Sequence, residues 1–137
     1  MSTATELEGK GWRLRSLDGF IQTAGPLWCR KADGQWHYGL LTEERHLNAA
    51  GLVHGGVLLT LFDHALSSIA WESAARRVCV TVQLNSQLHH AVKTSSFVEA
   101  RARVVRRTRD LLFLEGGLFV GDAEVLTGQT LHKVMGT

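Results

Sequence analysis

The clearest pattern along the chain runs from Gly55 to about Ala75. Val57, Leu58, Leu59, Leu61, Phe62, Ala65, Leu66, Ile69 and Ala70 recur there with no proline among them. That spacing predicts one long helix, about 30 Å from end to end at 1.5 Å per residue. Arg76 and Arg77 stand at its C-terminal end, where cations suit the helix dipole. The apolar positions cover most of the cylinder, so burial on nearly all sides is expected. Thr60, Asp63, His64, Ser67, Ser68 and Trp71 are the exceptions. They fall at helical spacing and form one narrow, mostly polar stripe.

After the helix the chain alternates. Val78, Val80, Val82 and Leu84 occupy one face of a strand, with Cys79, Thr81, Gln83 and Asn85 on the other. Phe97 to Arg106, Leu111 to Val120 and Val125 to Val134 also read as strands, with turns at Arg109-Asp110 and Gly121-Asp122. Before the helix, Pro26 opens a strand from Leu27 to Arg30. Asp33-Gly34 turns it into a second arm, Gln35 to Leu41. Glu43 to Val53 is a loop. Met1 to Thr5 reads as a loose polar tail, and Glu6 to Gly25 as a mixed segment whose later part is a short helix or packed coil. A hairpin, one long helix and a meander make an α+β architecture. One helix wrapped by such an antiparallel sheet leaves strand edges open, so a dimer is expected.

Composition narrows the classes. A chain of 137 residues suits a single domain spanning 1–137, with 1–25 as an N-terminal extension. With 45% apolar and 20% charged residues it is globular rather than disordered. The longest apolar stretch, Gly55 to Trp71, contains Asp63, His64 and two serines, so no membrane span is expected. The N-terminus lacks the basic and apolar regions of a secretory signal, which points to the cytoplasm. Cys29 and Cys79 form no CxxC and read as small buried hydrophobes. A net charge of +2 gives no case for nucleic acid. There is no GxSxG, P-loop or dinucleotide fingerprint, and the seven histidines show no ligand spacing. Neither a metal nor a cofactor is implied.

Four features carry candidate chemistry. Gly55-Gly56 at the helix start leaves unpartnered, electropositive N–H groups open to close approach. An oxyanion placed there gains hydrogen bonds; from the glycines alone, a tight loop-to-helix turn is the simpler reading. Asp63 is a carboxylate in a very apolar helix, costly to bury unless paired. It is either a nucleophile or general base, or a structural group bonded to Ser67 one turn on. It lies too far along the helix to serve a carbonyl at its own Gly55, so a symmetric partner has to bring it there. His46, His54 and His64 flank the loop and helix, and His54 either orients the loop or the substrate or is a structural loop histidine. Arg101, Arg103, Arg106, Arg107 and Arg109 crowd one strand and its turn. Guanidinium groups bind phosphates bidentately, and the last three suit that best; a solvated face is the alternative.

The strings His46-Leu-Asn48-Ala-Ala-Gly51-Leu-Val-His54-Gly55-Gly56 and Leu61-Phe-Asp63-His-Ala65 resemble the hotdog-fold acyl-CoA thioesterases. The phenylacetate-pathway type, with its hydroxybenzoyl-CoA thioesterase relatives, is the nearest in pattern. The resemblance implies a hotdog fold and hydrolysis of an aromatic or medium-chain acyl-CoA, in a homodimer that pairs into a homotetramer. It implies that Asn48 and His54 shape the site, that the Gly55 amide polarises the carbonyl, and that Asp63 comes from the neighbouring subunit. Thr81 holds the place of a water-positioning hydroxyl. Arg106, Arg107 and Arg109 lie near the turn that approaches the CoA phosphates, with Ser67 and His64 beside the substrate. Gln87-Leu-His-His-Ala91 departs from the pattern at a loop bordering the site. An acyl-CoA or acyl-carrier hydratase and a non-catalytic acyl-CoA-binding protein are the rival readings.

Overall fold

A computed structural model describes residues 1–136. The elements are α1 (Ala4–Gly9), β1 (Arg13–Arg15), α2 (Phe20–Ala24), β2 (Leu27–Ala32), β3 (Gln35–Leu41), a 3-10 turn (Glu44–His46), α3 (Gly55–Ser73), β4 (Cys79–Leu88), β5 (Phe97–Arg107), β6 (Leu111–Val120) and β7 (Ala123–Val134). The seven strands form one antiparallel sheet in the order β1-β2-β3-β5-β6-β7-β4. The long helix α3 packs against the inner face of β3 to β7. This is the hotdog arrangement. The polar start of the chain is not a loose tail, because Thr3 caps α1 by accepting from the Glu6 N–H.

The core lies between α3 and the sheet. Leu58, Leu61, Phe62, Ala65, Leu66 and Ala70 point down onto Leu40, Val98, Leu112, Leu114, Leu118 and Leu126. Each large side chain so buried contributes about 1.5–3 kcal/mol. A close approach sets the helix depth: a Cβ on Gly128 of β7 would lie 2.8 Å from the Phe62 ring. The helix ends where Ala75 and Arg76 turn left-handed, at φ 54° and 64°. The Arg107 guanidinium reaches across to the Ser73 carbonyl there, meeting one of the C-terminal orphan acceptors.

A second cluster covers part of the outer face. Leu7 of α1, Trp12 and Trp28 pack with Leu41 and Phe97. Trp12 meets Phe97 edge-on at 4.7 Å, and Arg30 stacks on Trp12 at 4.9 Å. The N-terminal segment is thus bound to the sheet.

Two further sequence expectations change. The alternation of β4 breaks at Val82: Thr81 faces His132 and Gln83 faces Leu131, so Val82 has no partner. This bulge shifts the phase, and Leu84 joins the helix-facing side of Thr81 instead of the side of Val80. Burial of α3 is also less complete than expected, with Val57, Leu59 and Ile69 only partly buried, while the polar stripe lies open as its spacing implied. Thr60, Asp63, His64 and Ser67 are only half-buried, and Gly56 and Trp71 are exposed. They share one open stripe.

Candidate active site

The loop before α3 is held tightly. His46 is buried; its Nδ1 accepts the Glu43 N–H at 2.9 Å and its Nε2 meets the Gly25 carbonyl at 3.1 Å. An accepting Nδ1 places the proton on Nε2, so both ring nitrogens are satisfied. The His46 carbonyl takes the His54 N–H at 2.8 Å. Asn48 Oδ1 accepts from the Ala50 and Leu52 N–H groups at 2.9 and 3.2 Å. That bonding fixes the side chain and leaves its Nδ2 donors unused among the described residues.

His54 is the N-cap of α3 and accepts the Gly56 N–H on Nδ1 at 2.9 Å. The Gly55 N–H, the next orphan donor, has no acceptor among the described residues. A Cβ on Gly55 would make only an ordinary 3.6 Å contact with Leu88. The chain's own packing therefore does not demand glycine at residue 55.

Asp63 stands on the open stripe, about 12 Å of helix rise from Gly55. Its Oδ1 accepts the Thr81 hydroxyl at 2.7 Å, while Oδ2 has no protein partner among the described residues. The alternative of a structural aspartate bonded to Ser67 is not what the structure contains. Ser67 Oγ lies 3.2 Å from Thr81 Oγ1 and 3.2 Å from His132 Nε2. His132 Nδ1 is 3.3 Å from Thr130 Oγ1. A polar chain therefore runs from His132 on β7 through Ser67 on α3 and Thr81 on β4 to the carboxylate. Burial lowers the pKa of fully enclosed His132, with Asp63 acting the other way. Burial likewise lowers that of His64; Asp63 opposes the shift and Arg15 adds to it.

The sequence reading missed His132 and Tyr38. Tyr38 is raised in pKa by burial, and Ser68 works against the rise. His132 left one trace, a histidine at an inward position of an alternating strand. Arg106, Arg107 and Arg109 lie at the β5–β6 end of the molecule with the C-terminus of α3, far from their own Gly55. Arg107 already holds the Ser73 carbonyl, and Arg109 pairs loosely with Asp110 at 3.9 Å. No group of three or more His, Cys, Asp or Glu residues converges as a metal cage among the described residues.

Residues 50–127 match the thioesterase superfamily. The chain belongs to that superfamily. A protein of Pseudomonas aeruginosa that carries an esterase name, PA0474, is 30% identical over 104 residues, covering 74% of this chain and 78% of its own. Among solved structures, BH2602 of Bacillus halodurans, determined with CoA, superposes with a TM-score of 0.80 at 19% identity, over 90% of this chain and 83% of that one. A mutant of the phenylacetic acid degradation protein PaaI from Thermus thermophilus superposes at 0.73 and 24% identity, over 86% and 100%. At these identities the two structures establish the fold. The superfamily match makes the chemistry of this domain thioester hydrolysis, and its residues 50–127 take in Gly55, Asp63 and Thr81. No helix among the described residues is long and apolar enough to cross a membrane.

Proposed function

We propose that the protein hydrolyses acyl-CoA thioesters, aromatic or medium-chain, to the free acid and CoA in the cytoplasm. Its site lies between two copies of the chain. The carrying observation is the Asp63 carboxylate on the open stripe of α3, with one oxygen anchored by Thr81 and the other free. In a twofold dimer whose α3 helices run antiparallel, with Leu59 and Thr60 near the axis, each Asp63 meets the partner's Gly55. The thioester carbonyl then accepts from the Gly55 N–H and the Asn48 amide, with His54 alongside. Asp63 Oδ2 takes a proton from water, and the hydroxyl oxygen attacks the carbonyl carbon. The charge that develops on the carbonyl oxygen is held by those donors. Collapse of the tetrahedral intermediate breaks the C–S bond and releases the CoA thiolate.

Two further features support the reading. Strand β4 is a ten-residue edge without a single charge or proline, and Val80, Val82 and Leu88 are at least 40% exposed. The opposite edge, β1, is three residues long and carries Arg13 and Arg15. A long uncharged edge is one built to be paired. The arginine end lies beside Ser73, about 15 Å of helix rise from Asp63, a span comparable to an extended pantetheine arm. Arg106, Arg107 and Arg109 would meet the phosphates there, with Ser67 and His64 flanking the acyl side. Kinship with the phenylacetate and hydroxybenzoyl-CoA types and pairing of dimers into a tetramer belong to the same proposal.

The test is thiol release over a panel of acyl-CoAs. Wild type is expected to release CoA from at least one aryl or medium-chain thioester, and Asp63→Asn to lose turnover by at least about 100-fold with its oligomer intact. Near-wild-type turnover in Asp63→Asn would remove the assignment.

A further inference from the structure

We infer that His132 is a positioning residue, which acts through Ser67 and Thr81 to set the orientation of the Asp63 carboxylate; this rests on the thioesterase reading above. Counting protons along the polar chain gives the direction of each bond. An ionised carboxylate only accepts, so the Thr81 hydroxyl spends its one proton on Asp63 Oδ1, at 2.7 Å. Thr81 Oγ1 must then accept from its other neighbour, Ser67, at 3.2 Å. Ser67 in turn has spent its proton and must accept from His132 Nε2, also at 3.2 Å. His132 therefore carries its proton on Nε2, and its Nδ1 is left to accept from the Thr130 hydroxyl at 3.3 Å. Every bond points the same way, toward Asp63.

Asp63 forces that direction at one end, since its carboxylate only accepts, and His132 holds it at the other. Ser67, Thr81 and Thr130 are rotors that donate either way, whereas an enclosed ring protonated on Nε2 keeps that N–H aimed at Ser67. Without that donor, the Ser67 hydroxyl is free to turn away from Thr81, and Thr81 is free to turn away from Asp63. The carboxylate would then sample orientations in which Oδ2 no longer faces the open stripe. His132 is fully enclosed and meets no solvent, so it does not touch substrate itself. A leucine would suit this core position better by burial alone, because buried polar groups cost free energy unless fully bonded. Polar side chains from two strands and the helix converge instead on the one acid of α3's first three turns.

The test compares His132→Leu, His132→Gln and Ser67→Ala in the full-length oligomer, with Asp63→Asn alongside. The Gln amide can place an N–H close to the position of Nε2; Leu cannot. His132→Leu and Ser67→Ala are each expected to lower kcat by about 10- to 100-fold, the range for a slightly misplaced catalytic group. KM of His132→Leu should change by less than about threefold, and His132→Gln should recover most of the loss. The Leu and Ala changes break one chain, so combining them should cost little more than either alone. Wild-type kcat in folded His132→Leu, with Asp63→Asn inactive, would overturn the positioning role and leave the thioesterase reading standing. His132→Gln as impaired as folded His132→Leu would overturn the donor direction. If His132→Leu does not fold, Ser67→Ala decides, and a wild-type kcat there overturns the proposal. An active Asp63→Asn would instead sink the reading on which this one rests.

Discussion

His132 and His64 give the domain a pH dependence whose sign follows from burial. Both have pKa values lowered from the ordinary 6.5, first of all by burial. Below 6.5 the unfolded chain takes up protons that the folded chain refuses, and stability rises with pH wherever the unfolded state binds more protons. The stabilisation is therefore full above 6.5 and is lost as pH falls from there toward the folded-state values. Melting temperature should fall between about pH 7.5 and 5.5, and less steeply in His132→Gln, which has no ring to protonate. Parallel slopes for the two proteins would assign the effect to other groups. Much at this scale was legible beforehand. An acid in the apolar middle of a helix and two glycines at its start are visible as composition. The network around the acid was not, because Thr81 stands opposite His132 only through the β4–β7 register. No local pattern encodes which of two distant strands will be neighbours.

At the scale of elements, α3 and the strands β3 and β6 were readable because their periods are regular and their ends carry turn residues. The break at Val82 was not. A bulge adds one residue without any change in residue type, so alternation counted through it puts Leu84 on the wrong face. The helix start permits a sharper experiment. Gly55 is the first residue of α3, and a proline is well tolerated at that position because its missing N–H had no helical partner. His54 already has φ −62° and ψ 134°, the region favoured before proline. The chain has room for a Cβ at residue 55, and the Gly55 N–H serves no bond within the described residues. Gly55→Pro should therefore fold with a melting temperature within a few degrees of wild type. If that N–H is an oxyanion donor, kcat/KM should fall by about 100-fold or more. A stable Gly55→Pro with undiminished activity would show that the amide takes no part.

At the scale of the whole molecule, one chain shows an open site. A broad depression of about 940 Å³ lies on the outer face of the sheet among Arg101, Arg103, Glu115 and Gln129, and contains neither Gly55 nor Asp63. On the inner side, the donor end and the acid end of α3 are separated by more than two turns. Two defective chains distinguish a site shared between copies from one within a copy. Gly55→Pro lacks the amide but keeps Asp63; Asp63→Asn lacks the acid but keeps the amide. In a mixed dimer, one of the two sites combines the intact amide of the second with the intact acid of the first. The other site combines both defects. Random assortment makes half the dimers mixed, each with one sound site, so co-expression should restore about a quarter of wild-type activity from two inactive parents. Sites confined to single chains would restore none, since every chain in the mixture carries a lesion. Replacing Val80 and Val82 with lysine, which charges the exposed edge of β4, should abolish the restoration along with the dimer in size-exclusion light scattering. Persistence of restored activity in a monomeric preparation would break the link between the β4 edge and the shared site.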